Sequence, residues 1–138
     1  MVRTILGIDP GTLSFGYSIV RQEDAKYTLL EKTIFQLNKI DDQIEKNKRI
    51  YNLLTELKST YNFDEIAIEQ PVFGKDPQSM LKLGRVLGCC IGFAIAKRFA
   101  KEGYDVSITS RKQDAAAKAA SENMTDYPDI TARGYSTI

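Results

Sequence analysis

Histidine is absent from all 138 residues. That removes Ser-His-Asp and Cys-His nucleophilic chemistry and every zinc site with histidine ligands. Catalysis by such a chain must rest on Asp, Glu, Lys, Tyr or a metal held by oxygen ligands. Cysteine is scarce as well. The two present, Cys89 and Cys90, are adjacent on an apolar helical stretch and make poor disulfide partners, so they read as small buried hydrophobes in a reducing compartment. No uninterrupted apolar run reaches the ~18 residues of a membrane span. The N-terminus lacks a charged segment followed by an apolar one, so the expectation is a soluble, cytoplasmic protein without an export signal or membrane partner. Repeats, linkers and low-complexity tracts are also missing, and the length suits one domain, residues 1–138.

What is present is unevenly distributed. Residues 1–69 and 121–138 each carry a formal charge of −2, whereas residues 70–120 carry +5. A basic middle beside isolated carboxylates suits a polyanion held near a metal site; an ordinary solvated helix face is the plainer reading.

Periodicity gives the order βββαβαβα. Residues 3–9, 15–21 and 26–36 read as a three-stranded antiparallel meander. Ile44, Ile50, Tyr51, Leu54 and Leu57 recur at helical spacing through 41–61. A short strand, "EIAIEQ", follows, then the loop PVFGKDP and a long apolar helix over about 78–102. In that helix Gly84, Gly88 and Gly92 repeat every fourth residue, which lets another backbone approach. It is the expected contact of a two-fold homodimer. "YDVSITS" reads as a fifth strand, before an alanine-rich helix near 113–123 and a short acidic tail. The expected fold is α/β: a five-stranded mixed sheet, meander plus two parallel strands, with helices on both faces.

Asp9 ends the first strand, in "LGIDPGT", and Glu69 ends the fourth. If those strands lie side by side and parallel, the two carboxylates share one edge of the sheet. There they repel unless a cation lies between them, and a hard divalent ion takes such ligands. The plainer readings are a turn-forming Asp-Pro-Gly and a solvated strand end.

The blocks "ILGIDPGTLSFGYSIV" and "IAIEQPVFGKDPQSMLKLGRVLG" together resemble the RuvC family of Holliday junction resolvases, of ribonuclease H-like fold, over residues 3–102. The resemblance implies a homodimer that binds four-way junction DNA and makes symmetric nicks in it using magnesium. Asp9 and Glu69 match the family's first two catalytic carboxylates, and Phe73 matches its aromatic junction contact, which would stack on an unpaired base; alternatively Phe73 anchors its loop in the core. The family closes its site with Asp-x-x-Asp at the start of a final helix. The tail offers Asp126 and Asp129 at that spacing, and Pro128 is suited to open a helix there. A second register puts Ala132 after Asp129, and "QDAAAKAA" offers Asp114 followed by Ala117. Four carboxylates would hold two magnesium ions, for which manganese can substitute, about 4 Å apart. Asp9 would bridge them, flanked by Glu69 and Asp129. Lys75, Lys82, Arg85, Arg111, Lys112 and Lys118 are the expected phosphate contacts. Two other functions compete with cleavage: a non-catalytic junction-binding module, and a nucleotide binder, since "GIDPGTLSFG" also resembles the phosphate loop of actin-like ATPases. The latter need a second lobe and a second glycine-rich motif, so no nucleotide cofactor is expected.

Overall fold

A computed structural model describes residues 1–70, 76–110 and 113–136. The chain divides into two compact units, Met1–Ile91 and Gly92–Ile138.

In the first unit, β1 (Val2–Asp9), β2 (Ser14–Glu23) and β3 (Lys26–Gln36) form the expected meander, and α1 (Gln43–Tyr61) leads into β4 (Glu65–Ile68). The sheet order is β3-β2-β1-β4, with β4 parallel to β1. Alternation along β1 sends Leu6 and Ile8 into the core and leaves Gly7 and Asp9 on the opposite face. Phe15 and Ile19 of β2 join that core, with Ile50, Leu54 and Leu57 of α1. Each such buried side chain contributes about 2 kcal/mol by leaving water. Asp42 caps α1, its Oδ1 accepting from the Ile44 N–H at 2.9 Å. Asn62 stops the helix in the left-handed region at φ 44°, its N–H donating to the Lys58 carbonyl at 2.9 Å. The α1 face of the sheet is tied to the helix by a carboxylate: Glu31 accepts from the hydroxyls of Tyr17 and Tyr61.

The sequence predicts five strands in one sheet, but this sheet has four. The next strand, β5 (Val106–Ser110), pairs in parallel with β6 (Ala132–Ser136) across α3 (Gln113–Asp126), a βαβ unit of its own. The tail is therefore a strand where the expectation was a helix opening at Pro128. After α3 the Tyr127 N–H still reaches the Asn123 carbonyl at 3.0 Å, but Pro128 cannot continue the helix. The Thr131 N–H then donates to Asp105 Oδ1 at 2.7 Å, setting the start of β6 beside β5.

The long helix, α2 (Pro77–Lys101), runs through the division between the units. Asp76 caps it, accepting from the Gln78 and Ser79 N–H groups and the Ser79 hydroxyl, and these bonds hold its carboxyl below the ordinary value. Val86, Cys90, Phe93 and Ala100 are buried. Burial pushes the Cys89 and Cys90 thiols up to about 11 and about 12, so neither is a thiolate at neutral pH. On another side Leu81, Ile91, Ile95 and Phe99 stand 47–56% exposed. Among the described residues, and apart from the helix's own adjoining backbone, no atom lies within 4 Å of where a side chain on Gly84, Gly88 or Gly92 would begin. The close backbone approach expected there is not made among the described residues. By length and composition alone, α2 is apolar enough to cross a membrane.

Candidate active site

The face of the sheet opposite α1 bears an open groove of about 780 Å³. The strand register says how it is built. One row across the sheet runs Asp9, Gly16, Ile34, and the row beside it runs Ala67, Gly7, Ser18, Lys32. Glu69 follows the last paired residue of β4, and its N–H donates to the Ile8 carbonyl at 2.8 Å. Asp9 and Glu69 are thus the next step beyond the Ile8–Ile68 pair, on strands about 4.8 Å apart. Both line the groove and both are exposed. The sheet edge expected from the sequence exists, with the two carboxylates side by side.

Small residues make the room around them. A Cβ on Gly16 would lie 3.2 Å from the Cβ of Asp9, so glycine at this position leaves the aspartate its space. The turn after Asp9 is equally constrained, because a Cβ on Gly11 would lie 1.9 Å from the Ser14 carbonyl oxygen. Buried Lys46 of α1 reaches this turn, donating from Nζ to the Thr12 carbonyl at 2.8 Å. Gly16 closes the motif that follows Asp9, but none of Lys46, Ser18 or Lys32 was singled out by motif. Carrying the period-two alternation of β1 across into β2 and β3 places Gly16, Ser18 and Lys32 on the Asp9 face, but only once the register is known. Lys46 carries no such signal.

The donor set suits a hard cation: two anionic carboxylates, oxygen only, open to solvent on a shared edge. Among the described residues no group of three or more Asp, Glu or Cys side chains comes together for a metal. The tail candidates lie in the second unit. Asp126 ends α3, and its carboxylate accepts from the buried ammonium of Lys97. Asp129 sits exposed in the turn before β6, and Asp114 in the first turn of α3. Of the basic candidates, Lys82 and Arg85 are exposed on α2, and Lys118 lies 3.7 Å from Glu122 on α3. Phe73, Lys75, Arg111 and Lys112 lie outside the described residues.

Residues 5–122 match the family model described as crossover junction endodeoxyribonuclease RuvC. The chain belongs to the RuvC family. Among curated relatives of that name, the Christiangramia forsetii protein is 43% identical over 95 residues, 69% of this chain and 50% of the relative. The Histophilus somni protein is 37% identical over 118 residues, 86% of this chain and 61% of the relative. The chain thus spans about half the length of several relatives it matches. A solved structure titled T. thermophilus RuvC in complex with Holliday junction substrate superposes with a TM-score of 0.60 at 26% identity, covering 69% of this chain and 60% of that one. The fold is accordingly of the ribonuclease H-like class, the four-stranded β3-β2-β1-β4 sheet carrying the two carboxylates.

Proposed function

We propose that this chain is a structure-selective, metal-dependent endonuclease that cuts four-way DNA junctions by hydrolysing phosphodiester bonds. The observation that carries the reading is the in-register pair Asp9 and Glu69 at the joined ends of parallel β1 and β4, over an open groove, in a chain of this family. Asp9 and Glu69 would hold magnesium or manganese ions, with two in the complete site. Such ions, when bound, supply Lewis-acid activation of water and charge stabilisation at the phosphate. The residues present do the rest. Gly7, Gly16 and Ala67 keep the groove floor low, so a sugar-phosphate backbone can approach the carboxylates. Gly11 and Lys46 fix the turn that follows Asp9. Glu69 is held by its own N–H on the Ile8 carbonyl. Asp129 remains our candidate for a further ligand, with Asp126 second and Asp114 third. Lys75, Lys82, Arg85, Arg111, Lys112 and Lys118 are proposed to neutralise junction phosphates, and Phe73 to stack at the crossover.

The exposed stripe Leu81, Ile91, Ile95 and Phe99, with open space over the intervening glycines, favours a second copy of this chain packed on α2. A two-fold pair presents two sites to two strands of like polarity, which is what paired nicking needs.

The pairing of Asp126 with Lys97 favours a second reading, a junction-binding module that does not cut. Labelled four-way junctions incubated with protein and magnesium separate the two. Paired nicks near the crossover, absent on linear duplex of the same sequence, support the endonuclease. Tight junction binding without nicks selects the binding module.

A further inference from the structure

The edge of the sheet that carries Asp9 and Glu69 continues past β1 into two turns. The first, residues 10–13, joins β1 to β2; the second, residues 37–40, follows β3, whose last residue Gln36 pairs with Ser14, the first of β2. Hydrogen bonds tie the two turns together. The Leu37 N–H donates to the Leu13 carbonyl at 2.8 Å, and the Ile40 N–H closes the second turn on the Leu37 carbonyl at 3.1 Å. The buried Lys46 ammonium of α1 holds the Thr12 carbonyl at 2.8 Å, and the Leu37 side chain is fully buried. Two side chains stand out from this fixed rim. Leu13 is 62% exposed. Lys39 is exposed and enters no ion pair among the described residues. Of the two acids that follow it in sequence, Asp42 is committed to the Ile44 N–H as the α1 cap, and Asp41 is exposed. An exposed leucine alone means little on a protein surface. On one rigid rim with an unpaired cation, at the edge that bears the carboxylates, it completes a contact suited to a group that is apolar on one side and anionic on the other.

We infer that Leu13 and Lys39 form a subsite for one nucleotide of the cut strand beyond the scissile phosphate, Lys39 holding its phosphate and Leu13 packing on its sugar. This rests on the proposed cutting site at Asp9 and Glu69. Lys39 follows β3, two strands from β1 and so about 10 Å across the sheet, which is too far for it to serve the phosphate at the carboxylates. The strand runs along the ends of the β-strands, from Glu69 and Asp9 towards the end of β3, rather than over either face of the sheet. Sugar and phosphate are common to every nucleotide, so the subsite sets the path of the strand past the carboxylates without reading its bases.

The test uses Lys39→Gln, Lys39→Arg and Leu13→Ala in the full chain, with thermal midpoints compared to exclude misfolding. Junction binding is measured in chelator over a series of salt concentrations, and cleavage in magnesium. Lys39→Gln is expected to lower the salt slope of log affinity by about one and to weaken binding about fivefold, with Lys39→Arg restoring both. Leu13→Ala is expected to weaken binding about threefold with the slope unchanged, because it removes no charge. Both should raise KM with kcat within twofold. Junctions carrying a single neutral methylphosphonate, moved stepwise along the strand near the crossover, then locate the contact. At one position Lys39→Gln should cost no further affinity. An unchanged slope in Lys39→Gln, a loss that persists at every methylphosphonate position, or full affinity in Leu13→Ala overturns the subsite while leaving the cutting site untouched. If the wild type binds but never cuts, the endonuclease reading falls, and a located Lys39 contact still supports the subsite. If the wild type does not bind junctions, both fall.

Discussion

Asp9 owes its position to residues with almost no side chain. Gly16 opposite it leaves only 3.2 Å for a methyl group against the Asp9 Cβ, closer than side chains normally pack. Gly16→Ala must push one of the two aside by a few tenths of an ångström. Because a misplacement of about 1 Å can cost about a hundredfold in rate, Gly16→Ala is expected to lower kcat about tenfold. Junction affinity in chelator should stay within twofold of wild type, and gel-based kinetics beside a binding titration checks both. Full activity in Gly16→Ala would show that the Asp9 carboxylate tolerates that displacement.

At the scale of elements, α1 is joined to the meander by Glu31, which takes hydroxyl bonds from Tyr17 and Tyr61 and is thereby held below the ordinary carboxylate value. Tyr17 is raised by burial first and then by Glu31, and Tyr61 by its bond to Glu31. A lowered acid contributes stability above its unfolded value near 4.3 and loses it as pH falls through the folded value. A raised phenol contributes below about pH 10 and loses it as pH climbs through the folded value. Tyr61→Phe should therefore melt below wild type by the widest margin between about pH 5 and 9, with the gap closing as pH falls through the lowered folded value of Glu31. A gap of constant size across that range would remove the network from the stability account. The elements were legible where period and caps agreed: the apolar positions of β1 and α1 have one face each, and Asp42 and Asn62 mark the helix ends. The last stretch was not, because Pro128 opens helices and also follows them. Only the pairing of β6 with β5, a contact remote in sequence, decides between those roles. For the site, Asp9 and Glu69 were readable as strand ends, whereas Lys32 and Lys46 reach it through register and packing that no local pattern carries.

For the whole molecule, the exposed face of α2 and the paired carboxylates make linked claims. Sedimentation at micromolar concentration should show a dimer, and Ile91→Asp, on a side chain already 47% exposed, should shift it to monomer with little change in melting temperature. A wild-type chain that stays monomeric even with junction DNA would remove the α2 interface and, with it, the basis for paired nicks. The claim on which the rest depends is that Asp9 and Glu69 act together by their charge. Asp9→Asn and Glu69→Gln keep the shape and remove that charge. The decisive measurement is cleavage of a labelled four-way junction by each variant across a magnesium titration, beside junction binding in chelator. We predict a loss of at least about a thousandfold in rate for both, as for essential metal-ligating carboxylates, with affinity within about threefold of wild type. Magnesium-dependent cutting near the wild-type rate in either variant would contradict the assignment.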